Sequence, residues 1–213
     1  MTIEVKICGI TDEEAMEAAA AAGADMVGLV FFAKSPRAVT PARAADLLDC
    51  VPRALTRVGL FVDPDDHLLD AVLNTVRLDL IQLHGHESPE RVEAIRLEYG
   101  LPVMKAIGVA TAADLDAVPP YLEVADRLLF DARPPQGADL PGGNALRFDW
   151  SLLAGRAWPL PWMLAGGIDA ANVAEAIRIS GAPGIDVSSG VEKARGQKDP
   201  ALIHAFVRAA RGG

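Results

Sequence analysis

The chain has 213 residues, 20 Lys and Arg against 29 Asp and Glu, and a formal net charge of −9. That balance argues against nucleic acid or an anionic membrane as the main partner, because phosphate surfaces call for clustered basic residues, and any anionic ligand must be held by local groups. No apolar run approaches membrane-spanning length, and the two cysteines form no CxxC pair or zinc-spaced cluster.

A chain of this size buries a core without disulfides or a structural metal, and one domain over residues 1–213 is expected. The amino terminus enters a strand with no basic and apolar leader ahead of it, so a reduced, cytoplasmic setting is expected.

Val5-Lys6-Ile7-Cys8 reads as the first strand, with Gly9 as its turn. Thr11 and Glu14 stand at capping-box spacing, and the alanine-rich run Ala15 to Ala22 makes a helix that Gly23 stops. Asp25 to Phe32 is a near-continuous apolar strand, the pattern of a parallel sheet covered on both faces. Its loop carries Ser35-Pro36-Arg37 ahead of a helix opened by Thr40-Pro41. Arg57 to Val62 is the third strand, with a helix through Thr75 after it; Leu78 to Leu83 is the fourth, followed by His84-Gly85-His86 and a helix opened by Ser88-Pro89. The fifth strand is Val103 to Ile107, its helix opened by Thr111, and the sixth is Arg127 to Asp131.

From Ala132 to Ala145 Gly and Pro accumulate in a longer connection, of the kind that carries function when inserted in a compact domain. Phe148-Asp149-Trp150 leads a short helix, Trp162 to Ala165 is the seventh strand, and Asp169 caps a helix through Ile179. Gly184 to Val187 is the eighth strand, and Asp199-Pro200 opens the last helix. Eight strands alternating with eight helices is the count at which a parallel sheet closes on itself. The expected fold is an α/β single-domain (β/α)8 TIM barrel, with a doubly wound open sheet as the competing layout.

In such a barrel, functional groups gather at the carboxyl ends of the strands. Strand side chains alternate between faces, so setting the apolar partners outward turns Cys8, Gln82, His84, Asp131 and Asp186 inward. Gly166-Gly167 and Ser188-Ser189-Gly190 follow strands seven and eight, the loops that commonly bind phosphate in this architecture, where small residues let backbone N–H groups close on the oxygens. Two such loops point to a phosphorylated small-molecule ligand. Each residue also has a plainer role available: Cys8 and Cys50 as small core side chains, Arg37 as a solvated loop residue, and His67, His86 and His204 as surface residues. A carboxylate such as Asp131, following three apolar residues, is hard to place in pure packing.

Taken together, Lys6-Ile7-Cys8-Gly9-Ile10-Thr11, Ser35-Pro36-Arg37, Gln82-Leu83-His84-Gly85, Phe148-Asp149-Trp150, Leu164-Ala165-Gly166-Gly167-Ile168 and Asp186-Val187-Ser188-Ser189-Gly190-Val191-Glu192 resemble the phosphoribosylanthranilate isomerase family of tryptophan biosynthesis. The resemblance implies an Amadori rearrangement of an aminoaldose phosphate to an aminoketose by general acid and base, with no cofactor and no metal, in a monomer or homodimer. It assigns Asp131 as the acid and Cys8 as the base, Arg37 to the anthranilate carboxylate, His84 and Asp186 to the lining of the site, and Gly166, Gly167, Ser188, Ser189 and Gly190 to the phosphate.

The acid must hold a proton near neutral pH while the thiol must lose one, and whether Lys6 touches the thiol is open at this point. The family's sixth loop carries a Gly-Gly-Thr-Gly-like run where this chain has Gly142-Gly143-Asn144-Ala145, which bears on how that loop closes. A metal-dependent pentose-phosphate epimerase would want several His and Asp ligands at strand ends, where only His84 is well placed. The related isomerase of histidine biosynthesis would want a carboxylate in place of Cys8, and a barrel that only binds its ligand would have no use for the thiol and Asp131 together.

Overall fold

Strand β1 (Glu4–Cys8) is the seam of the molecule, pairing in parallel with β2 (Met26–Val30) on one side and with β8 (Gly184–Val187) on the other. Between them run β3 (Thr56–Phe61), β4 (Leu80–Leu83), β5 (Val103–Val109), β6 (Arg127–Ala132) and β7 (Trp162–Leu164), in sequence order and closed, so the doubly wound open sheet is ruled out. These relations come from a computed structural model that describes residues 2–49, 55–133, 142 and 146–212. Cys50 and positions 143–145 of the sixth loop lie outside the described residues.

Two apolar layers hold the barrel. Outside it, Val5, Ile7, Val27, Leu29, Ile81, Leu83, Leu128 and Phe130 are buried against the helices; inside it, Met26, Val58, Leu80, Met104, Leu129 and Met163 fill the axis. The strands are therefore apolar on both faces, which is why they read as near-continuous runs. Phe31 stacks on Phe61 at 5.3 Å between ring centroids in the outer layer.

Helices α1 (Glu13–Ala22), α2 (Pro41–Asp49), α3 (Asp66–Leu73), α4 (Pro89–Tyr99), α5 (Val173–Ser180) and α6 (Pro200–Ala210) cover the outside. The first cap differs from the expected one. Asp12, one residue after Thr11, accepts from the Ala15 N–H at 2.9 Å, and the Thr11 hydroxyl turns toward the Gly196 carbonyl. A carboxylate at that position also meets the positive helix end better than a hydroxyl would.

The helices expected after β5 and β6 are short 3₁₀ segments, Ala112–Ala117 with Pro119–Tyr121, and Trp150–Leu153. Pro119 and Pro120 in the first, and Gly155, Pro159 and Pro161 after the second, stop a longer helix from forming. A small antiparallel hairpin, β9 (Glu192–Ala194) with β10 (Gln197–Lys198), follows β8 and was not legible in its polar residues.

Two buried pairs brace the loops. Lys105, pointing out of the barrel, bonds Glu87 at 2.7 Å, and Glu87 in turn accepts from the N–H groups of Asp63 and Gly85. This ties the loops after β3 and β4 together at the position from which His84 projects. The last helix seals the seam, with Ile203, Phe206 and Val207 buried in the outer layer. Phe206→Ala is expected to cost about 3–5 kcal/mol, read as a lower urea midpoint at constant m-value. A loss under about 1 kcal/mol would mean that α6 is not packed as described.

Candidate active site

A cleft opens at the carboxyl ends of the strands, with about 770 Å³ of space that is partly open to solvent. Cys8, Arg37, His84, Asp131, Gly166, Gly167, Asp186, Ser188 and Ser189 all line it. Alternation along the strands turned Cys8, Asp131 and Asp186 the same way, and barrel closure brought them to one mouth with the loop residues. Gly190 is not among the lining residues. A Cβ there would stand 2.0 Å from the Ile168 carbonyl oxygen, so its bare backbone is what lets the loops after β7 and β8 touch.

Asp131 stands next to the end of β6 with both oxygens engaged. Oδ1 accepts from the Ala132 N–H at 2.8 Å, and Oδ2 lies 3.1 Å from His84 Nε2. The Gln82 side-chain amide lies 3.0 Å from His84 Nδ1, so the imidazole bridges Gln82 and Asp131 through its two ring nitrogens. Gln82, fully buried inside β4, therefore orients the histidine that orients the carboxylate. Two glycines give Asp131 its room: a Cβ on Gly142 would sit 2.6 Å from Oδ2, and one on Gly166, which has φ +90°, 2.8 Å from Oδ1.

Cys8 ends β1 with only 4% exposure. Its partner in the ladder is Gly28, and a Cβ there would stand 2.9 Å from the sulfur and 3.1 Å from Lys6 Nζ. Lys6 is fully buried inside the barrel and bonds Asp186 Oδ1 at 2.8 Å. Burial works against the Lys6 ammonium, yet Asp186 and Cys8 outweigh it and raise its pKa above the ordinary value. Burial also pushes the Cys8 thiol up, Lys6 and Lys198 pull it down without offsetting that, and Asp186 adds to the rise.

Arg37 is buried, not a solvated loop residue. Its Nε and Nη2 grip Glu192 at 2.6 and 3.0 Å in a forked pair. Glu192 also takes Lys198 Nζ at 2.8 Å, and the same ammonium donates to the Ser188 carbonyl at 2.9 Å. One carboxylate thus holds two cations beside the Ser188-Ser189 loop. Burial pushes the Glu192 carboxyl up, but Arg37 and Lys198 outweigh it and hold it down at about 2.

An apolar wall completes the cleft, made by Val30, Phe32, Leu60 and Val62 beside Cys8. His67, His86 and His204 are exposed, as expected of surface residues. Among the described residues no cluster of three or more His, Cys, Asp or Glu could hold a metal ion.

The family model for N-(5'-phosphoribosyl)anthranilate (PRA) isomerase matches residues 5–209. The chain belongs to the phosphoribosylanthranilate isomerase family. Isomerases of that name from Paramagnetospirillum magneticum and Rhodospirillum rubrum are 71% and 63% identical to it, with 100% and 98% of this chain and 99% and 98% of those chains covered. The phosphoribosylanthranilate isomerase of Thermotoga maritima superimposes with a TM-score of 0.88 at 35% identity, covering 99% of this chain and all of the other. A further isomerase structure, in complex with reduced 1-(o-carboxyphenylamino)-1-deoxyribulose 5-phosphate, superimposes with a TM-score of 0.83 at 33% identity over 99% of this chain and 100% of that one.

As a phosphoribosylanthranilate isomerase, the protein catalyses the Amadori rearrangement of N-(5-phosphoribosyl)anthranilate to 1-(2-carboxyphenylamino)-1-deoxyribulose 5-phosphate in tryptophan biosynthesis. Several residues of this isomerase site had no assigned part in the sequence reading. Glu192 stood in a recognised motif without a role, and Lys198 and Gly28 carried no signal, because their partners come from other strands and loops. Val30 and Leu60 could have been found by alternation, which turns them inward beside Cys8.

Glu192 ties this site to acid stability. Its folded pKa of about 2 lies below the unfolded carboxylate value of about 4.3, so its stabilisation is complete above the higher value and is lost as pH falls toward the lower. Urea unfolding from pH 5 down to pH 2, taken as about that window, is expected to show a shallower loss of stability with falling pH in Glu192→Gln than in wild type. Equal slopes would remove Glu192 from the acid response.

Proposed function

We propose that Asp131 is the general acid and Cys8 the general base of the rearrangement. The carrying observation is that the two line one cleft, from opposite parts of the chain, between glycine loops suited to phosphate and an apolar wall suited to an aromatic ring.

Ring opening needs a proton on the furanose oxygen, and Asp131 delivers it, giving an iminium ion. The Cys8 thiolate then takes the C2′ proton and becomes a thiol, and the resulting enolamine tautomerises to the aminoketose. His84 keeps the acid in place through Oδ2. Gly166, Gly167, Ser188 and Ser189 hold the phosphate through backbone N–H groups, with Gly190 fitting their loops together. Arg37 meets the anthranilate carboxylate, Val30, Phe32, Leu60 and Val62 pack on the ring, and Asp186 lines the floor of the sugar pocket.

The chain acts as one domain, without cofactor or metal, as a monomer or homodimer in the cytoplasm. No helix among the described residues is long and apolar enough to cross a membrane.

Cys8→Ala and Asp131→Asn are each expected to lower kcat by at least ~10² with the fold intact, the scale of acid or base catalysis, in a fluorescence assay on freshly made substrate. Near-normal turnover in either variant would withdraw that residue from its role. Arg37→Ala is expected to act mainly on KM, and an unchanged KM would take the guanidinium away from the substrate carboxylate.

A further inference from the structure

The barrel axis is filled by Met26, Val58, Leu80, Met104, Leu129 and Met163, and one ion pair among the described residues, Lys6 with Asp186, stands inside the barrel with these apolar side chains. A buried pair of this kind is a weak source of stability. Replacing a buried ion pair by apolar residues of similar volume is often neutral or stabilising, because removing two charges from water costs about what their attraction returns. The Lys105–Glu87 pair, by contrast, also gathers backbone N–H groups and a carbonyl from two loops. The Lys6 ammonium bonds the Asp186 carboxylate and borders, together with the Cys8 sulfur, the space left by Gly28.

The geometry of that corner is specific. Lys6 is the ladder partner of Asp186 on β8 and shares the inward face of β1 with Cys8. Gly28, across from Cys8, leaves open the space that the sulfur and the ammonium border; any side chain there would push them apart. We propose that Lys6 is a positioning residue for the base, its buried ammonium standing against the Cys8 sulfur as the counterion of the thiolate, with Asp186 holding the ammonium in place. This rests on Cys8 being the base.

The charged groups facing the sulfur are Lys6 from its own strand, Asp186 from β8 and Lys198 from β10, with Asp131, His84 and Arg37 around the same cleft; Gly28 and Val30 of β2 bring none. Lys198 is committed to Glu192 and Ser188, which leaves Lys6 as the cation nearest the thiol along β1. The two neighbours act with opposite sign. Lys6 favours the thiolate and Asp186 opposes it. With Asp186 neutralised, the thiolate becomes the counterion that the buried ammonium lacks.

The test titrates Cys8 in a Cys50→Ser background, following ultraviolet thiolate absorbance and the rate of alkylation by iodoacetamide against pH. Lys6→Met is expected to move the midpoint up by about one pH unit or more, the usual effect of losing an adjacent opposite charge, and Asp186→Asn to move it down. Activity should follow: kcat/KM of Lys6→Met falls about tenfold or more at neutral pH and recovers as pH is raised, which a structural defect would not do. Should Lys6→Met fail to fold, Asp186→Asn is compared with the neutral double variant Lys6→Met/Asp186→Asn, whose midpoint is expected to be the higher. A Cys8 midpoint that does not respond to Lys6 in either comparison overturns the proposal. That failure is separate from failure of the base assignment, which is read from the turnover of Cys8→Ala.

Discussion

Closure of the first strand against the last is the interaction on which the rest depends. Glu4, Val5, Lys6 and Ile7 lie in register with Gly184, Ile185, Asp186 and Val187, and the ladder continues on the other side with Met26, Val27 and Gly28. Without that pairing, the thiol and the last two loops would belong to opposite edges of an open sheet. With it, Cys8, Asp186 and the Ser188-Ser189 loop share one corner. The hairpin after β8 reinforces the seam by carrying Glu192 and Lys198 back to Arg37 and Ser188.

A closed barrel buries what it gathers, and burial is hostile to charge. This site answers by giving each buried cation a carboxylate: Lys6 has Asp186, Lys105 has Glu87, and Arg37 and Lys198 share Glu192. The pairs are not equivalent in purpose. Lys105–Glu87 is a brace for loops, whereas Glu192 stands behind the groups suited to an anionic substrate. The Cys8 thiol has the opposite problem, since burial favours its neutral form and the neighbouring cations only partly correct it.

Glycine sets the spacing of these groups as firmly as the charges do. At Gly28, Gly142 and Gly166 the missing side chain is the room that Cys8, Lys6, Asp131 and His84 occupy. These positions sit on three different segments, so the same device recurs where backbone passes close to a buried polar side chain of the cleft.

Much of this was written in the local pattern. Alternation turned Cys8, Gln82, His84, Asp131 and Asp186 inward, and the strand count foretold closure, because side-chain period and element length are properties of neighbouring residues. The first helix cap lay one residue from where spacing suggested, since Thr11 and Asp12 are both able caps and only the path of the chain past Gly196 chose between them. Gly28, Glu192 and Lys198 carried no local signal for their parts in the cleft. The sequence by itself determined the eight barrel strands, which way their side chains face and, through its motifs, the family and its reaction. Only the tertiary structure decided which charges meet: that Lys6 pairs with Asp186 inside the barrel, and that one carboxylate serves both Arg37 and Lys198. Such pairings join residues remote along the chain, and their strength depends on a burial that exists only once the barrel has closed.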